Sequence, residues 1–160
     1  MHSDWIDRLR EFEAAGVEYL LVGGHALTVH GYIRVTTDLD LLVRPTPENS
    51  RRVFAALTRF GAITVGLSPT DFANEQTVFG IGQRPLRIDV LAGIDGVTYD
   101  EAAEEAVATD FHGIACLAIG LKAFMRNKRA SGRPKDLADV DWFETHHPDL
   151  RSDTPTRDGD

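Results

Sequence analysis

The chain has 160 residues, a formal net charge of −8, 42% apolar and 26% charged residues, the make-up of one globular domain able to bury a real core. The acidic balance argues against nonspecific DNA binding, and the one cysteine, Cys116, rules out an intramolecular disulfide and suits a reducing cytoplasm. The first residues are too charged for a signal peptide, and no run approaches the ~20 apolar residues of a membrane span, so no membrane partner is expected.

Ser3 is placed to cap a first helix with Trp5, Ile6, Leu9 and Phe12 on one side and Gly16 as its stop. Val17 to Val22 follows as a strand, apolar enough at its end to be covered on both faces. The pair Gly23-Gly24 lets backbone approach a phosphate closely, and a following helix N-terminus favours bound anions. That helix runs from His25 to Gly31 with Ala26 and Leu27 inward. His25 and His30 are ligands or acid–base groups on one reading, surface or hydrogen-bonded core histidines on the other; no Cys or third His stands at zinc spacing. Arg34 is open to a triphosphate contact or to an ion pair with a neighbouring aspartate. Thr36 and Thr37 either position a ligand or start the next strand.

That strand, ending at Val43, carries Asp38 and Asp40. Side chains alternate along a strand, so the two acids share one face while Leu39 and Leu41 take the other. Like charges on one strand face repel, and a hard divalent cation such as Mg²⁺ relieves them. A phosphate cradle beside metal-holding carboxylates is the constellation of an enzyme that handles a nucleoside triphosphate (NTP).

Thr46-Pro47-Glu48 opens the next helix, with Val53, Phe54, Leu57 and Phe60 as its stripe and Gly61 as its stop. Residues 62–67 are expected as a strand and 68–75 as a polar connection. Thr77 to Ile81 and Leu86 to Leu91 form a hairpin around residues 82–85. The second of these strands places Asp89 among apolar residues. A lone buried carboxylate is costly unless paired or bound to metal; its partner is the Asp38/Asp40 face, or else Arg84 or Arg87. Thr98 and Glu101 make a capping box, and residues 107–111 and 114–117 are expected as two short edge strands.

Residues 122–135 hold six basic residues and no acid. They read as a solvated cationic face or as a site for triphosphate or a polynucleotide. A break at residues 131–134 separates this helix from a second one over Lys135 to Phe143. Residues 148–160 lack apolar anchors and are expected as a disordered tail after a single domain over 1–147, whose helical part begins near 118.

Gly23-Gly24, a spacer of 13 residues, Asp38-Leu39-Asp40 and later Ile88-Asp89-Val90 together resemble the signature of the polymerase-β-type nucleotidyltransferase superfamily. The likeness is nearest to its small prokaryotic members, the minimal nucleotidyltransferases and the abortive-infection toxins of toxin–antitoxin pairs. In the toxins a lysine-bearing helix precedes a basic–Asp–Leu–x–x–Asp segment, which Lys122 and Lys135-Asp136-Leu137-Ala138-Asp139 match. Many relatives carry Gly-Ser where this chain has Gly23-Gly24. The resemblance implies an α+β fold: a mixed twisted sheet flanked by helices, with a short C-terminal helical segment. It also implies two Mg²⁺ ions and transfer of a nucleoside monophosphate with release of pyrophosphate. Asp38 and Asp40 would hold both metals, and Asp89 would complete one and take the acceptor's proton. Gly23, Gly24, His25, Arg34, Thr37, Lys122 and Lys135 form the expected NTP-binding set, with Asp136 orienting Lys122 or Lys135. The expected acceptor is a tRNA end or a protein, and the expected partner an antitoxin. Two other readings stand beside this one: adenylylation of a small molecule such as an antibiotic, and a catalytically silent partner-binding module.

Overall fold

The computed structural model describes residues 3–62 and 64–153. The helices are α1 (Ser3–Ala14), α2 (Gly23–Val29), α3 (Pro47–Arg59), α4 (Tyr99–Glu104), α5 (Leu121–Ser131) and α6 (Pro134–His146). Strands β1 (Tyr19–Val22), β2 (Asp38–Val43), β3 (Val78–Ile81), β4 (Arg87–Leu91), β5 (Val107–Phe111) and β6 (Ile114–Ala118) make one sheet in the order β3-β4-β2-β1-β6-β5. The pairs β2–β4 and β1–β6 are parallel and the others antiparallel. The chain is therefore α+β, a mixed sheet flanked by helices.

Strand alternation divides the core in two. Tyr19, Leu21, Leu39, Leu41, Val43, Ile88 and Val90 pack under α1 and α3 through Trp5, Leu9, Phe12, Val53 and Leu57. On the other face Leu20, Val22 and Leu42 meet α2, α4, α5 and α6 through Leu27, Tyr99, Phe124 and Phe143. Asp38 and Asp40 fall on this second face, at the end of β2 that these helices leave open. Each fully buried Leu or Phe here contributes about 1.5–3 kcal/mol relative to exposure.

The helix signals act as expected. The Thr46 side chain accepts from the Asn49 N–H with Pro47 in the first turn, and both bonds of the Thr98/Glu101 capping box form. Gly132 closes α5 in the left-handed conformation.

Three expectations need correction. The strand over 62–67 does not form: Gly66 takes φ +82, the Leu67 N–H bonds back to the Thr64 carbonyl, and Val65 is 93% exposed. A turn replaces it, and the Ser50 hydroxyl, donating to the Pro69 carbonyl and accepting from the Phe72 N–H, pins the connection that follows. Of the two strands expected at an edge, β5 lies there but β6 does not, since it is inserted between β5 and β1. The segment after α6 is not tail from 148 onward, because Pro148–Asp153 forms 3₁₀ turns with Leu150 buried in the second core. The Ser3 side chain, residue 63 and residues 154–160 lie outside the described residues. Among the described residues no helix is long and apolar enough to cross a membrane.

Candidate active site

Parallel pairing of β2 with β4 sets Asp40 directly opposite Asp89 and Asp38 opposite Arg87. Partners in register share a face, so the three acids expected to meet do lie on one side of the sheet. They line an open cleft of about 630 Å³ between the sheet and α5–α6.

The acids differ in what holds them. The Arg84 guanidinium grips Asp38, with Nε 3.0 Å from Oδ1 and Nη2 3.0 Å from Oδ2. Arg87 Nε donates to Asp89 Oδ1 at 2.9 Å. Asp40 has neither arginine: burial, then the charges of Asp89 and Asp38, push its pKa up to about 6, with Lys135 opposing. Among the described residues no group of three or more His, Cys, Asp or Glu is gathered in metal-holding geometry. The donor set still suits a hard divalent cation: all-oxygen, on one face, with a partly buried carboxylate that no arginine holds.

The near wall is made by the glycine pair, which starts α2 rather than preceding it. Gly23 has φ +66, and a Cβ there would lie 2.1 Å from Asp40 Oδ2; one on Gly24 would lie 2.2 Å from Thr36 Cγ2. Side chains at these positions would fill the space beside the acids.

The far wall is cationic, through residues only partly anticipated. Lys128, Arg133 and Lys135 line the cleft. Lys128 is buried, its Nζ 2.9 Å from Asp139 Oδ2 and 3.2 Å from Asp136 Oδ1. Asp139 also accepts from Arg34 Nη2 at 2.6 Å, so Arg34 does form an ion pair, with an acid 105 positions away rather than a neighbour. Burial pushes Asp136 up, but the Ser131 hydroxyl and the Lys128 ammonium outweigh it and hold the carboxyl below its usual range. The network ties the loop before β2 to both C-terminal helices. Thr37 lines the cleft beside Asp38.

Two expected residues stand elsewhere. Lys122 is not on the cleft wall; Lys128, further along the same helix, takes that place, and Asp136 bonds to Lys128 instead of orienting Lys122 or Lys135. His25 turns away into a second cavity with Phe111 and His112, its ring edge-on to Trp5 and Phe111 at 5.1 Å each and its Nε2 3.0 Å from the Thr36 hydroxyl. His30 donates from Nε2 to the Ile119 carbonyl, a structural role. Arg126 and Arg129 pair with Glu101 and Glu144, so the basic segment splits between cleft and surface. Lys128 and Asp139 were missed as site residues. The signal for Lys128 was its place four residues after Phe124, on the buried side of the helix, where its Nζ lies 4.8 Å from that ring.

No family model matches the chain, and no curated protein matches it. Among solved structures it is similar to the crystal structure of a putative nucleotidyltransferase from Thermotoga maritima, with a TM-score of 0.52 and 13% identity over 95% of this chain and 96% of that one. The likeness spans both chains almost entirely, and at this identity it is one of fold.

Proposed function

We propose that the chain is a Mg²⁺-dependent nucleotidyltransferase that moves a nucleoside monophosphate from an NTP to an acceptor hydroxyl and releases pyrophosphate. The observation that carries this reading is the register of Asp40 against Asp89, with Asp38 on the same face, in a cleft whose opposite wall is cationic. Two bound Mg²⁺ ions, held by Asp38, Asp40 and Asp89, would supply charge stabilisation at the phosphate under attack and at the leaving group. The rest falls to the chain. Lys128 and Lys135 neutralise the triphosphate, and Asp136 and Asp139 hold Lys128 in place. Gly23 and Gly24 keep the adjoining wall clear. The Asp89 carboxylate accepts the acceptor's proton as its oxygen bonds to the α-phosphorus and the bond to the pyrophosphate oxygen breaks.

In this reading the acceptor is a tRNA end or a protein hydroxyl, the setting is the cytoplasm, and the partner is the antitoxin of a toxin–antitoxin pair. Its support is the segment Lys135-Asp136-Leu137-Ala138-Asp139, both of whose acids bond to the cleft lysine. Each α-labelled NTP, incubated with Mg²⁺ and tRNA or protein acceptors, is the test. Label is expected to pass to one acceptor class, and Asp40→Asn to abolish the transfer. Transfer unchanged in that variant overturns the reading.

A further inference from the structure

The acids of the strand pair are held by arginines in a way that invites exchange. Arg84 uses two nitrogens on the two oxygens of Asp38, and Arg87 occupies one oxygen of Asp89. Those oxygens are among the ones a hard cation would take, so guanidinium and metal compete for them. Both pairs are of the weakly held kind, since the Arg84 side chain is 70% and that of Arg87 41% exposed. Room is kept for one of them: a Cβ on Gly80 would lie 2.2 Å from Arg87 Nη2. Asp89 is the only acid of the hairpin from Val78 to Leu91, so a guanidinium released there finds no replacement carboxylate in its own segment.

We propose that Arg84 and Arg87 are exchangeable counter-ions: they pair with Asp38 and Asp89 in the metal-free chain, yield both carboxylates to the cation, and then offer their guanidiniums to a phosphate group on the β3–β4 side of the cleft. This rests on the nucleotidyl-transfer reading. The phosphate comes either from the NTP tail or from the phosphodiester backbone of an acceptor RNA. Metal and phosphate binding are then linked, each strengthening the other by the same factor.

The test is Mn²⁺ binding to the full chain, measured by calorimetry without nucleotide. Arg84→Ala and Arg87→Ala are expected to tighten binding by about three- to tenfold. Gly80→Ala, which keeps the net charge and only displaces Arg87, is expected to do the same. Arg133→Ala removes an equal charge from the cleft wall, where it faces Asp136 at 3.9 Å, and is expected to change binding by less than about twofold. Circular dichroism melts check that each variant folds. Equal tightening in Arg133→Ala, or none in the other three, overturns the exchange while leaving the function reading intact. Wild type that binds no Mn²⁺ overturns both. A second arm measures tripolyphosphate and a single-stranded RNA with and without Mn²⁺. The probe whose metal-dependent gain disappears in the Arg84→Ala/Arg87→Ala double variant names the phosphate source; no gain with either overturns the anion half of the proposal.

Discussion

Lys128 Nζ and Asp139 Oδ2 meet 2.9 Å apart with both side chains withdrawn from solvent, 7% and 2% exposed. Asp139 serves two cations, because Arg34 takes its other oxygen. Asp139→Ala therefore takes one of two carboxylates from the buried Lys128 ammonium, leaving it Asp136, and leaves Arg34 only the Tyr32 hydroxyl; it is expected to cost about 3 kcal/mol. Lys128→Met leaves Asp139 paired with Arg34 and is expected to cost clearly less. Urea denaturation of the two variants measures the order; equal losses would mean that the acid is not shared between the cations.

Asp40 gives a pH signature. Its ordinary pKa of 3.8 is raised to about 6 in the fold, by burial first and by the facing acids second. The native state then holds this proton more tightly than the unfolded chain, so ionisation of Asp40 opposes folding as pH rises through about 6. In metal-free buffer, the stability advantage of Asp40→Asn over wild type is expected to be small below pH 4 and to grow to about 1–3 kcal/mol above pH 6. Paired denaturation curves across that window give the difference. An advantage independent of pH would contradict the assignment.

The glycine pair separates two kinds of crowding. Gly23→Ala is expected to lose transfer activity and about 1–3 kcal/mol of stability, since its φ is left-handed and its Cβ would strike Asp40. Gly24 lies outside the left-handed region and conflicts chiefly with the Thr36 methyl, with Thr36 Cβ at 3.3 Å. Trimming that methyl, in Gly24→Ala/Thr36→Ser, is expected to restore stability relative to Gly24→Ala alone. Thermal melts of these variants test the distinction.

Cys116 is a structural thiol. Burial first, then the charges of Glu13 and Asp110, push its pKa up to about 11. Alkylation by iodoacetamide at pH 8 is expected to run far slower than for a free cysteine and to accelerate as pH rises toward 11. Fast labelling at pH 8 in the native chain would refute this.

The acidic half of the site was legible because it depends on local rules. A period of two puts Asp38 and Asp40 on one face, and one acid within Leu-Arg-Ile-Asp-Val-Leu demands a partner. The sequence raised arginine and metal as alternative partners for Asp89; the fold adds an arginine on Asp38 as well. The cationic half was less legible because it depends on how α5 is rotated over the sheet. Lys122 and Lys128 are six positions apart and project from different sides of the helix. Phe124 and Met125 identify the buried side, but a lysine that is itself buried, satisfied by acids eight and eleven residues later, leaves no mark in composition. The false strand at 62–67 has a similar origin. Its apolar residues suggested pairing, while Gly66 supplied the turn that prevents it. His25, next to the glycine pair in the chain, belongs to the expected NTP-binding set, but its ring lies in the second cavity beside Phe111.

The order of these pieces along the chain has a consequence during synthesis. The three acids have all left the ribosome's catalytic centre by residue 89, whereas Lys128, Asp136 and Asp139 arrive some forty to fifty residues later. A product truncated after β6 would carry the carboxylates without the α5–α6 wall opposite them, and Arg34 would lack its anchor. The chamber is thus assembled only after residue 139 has been made.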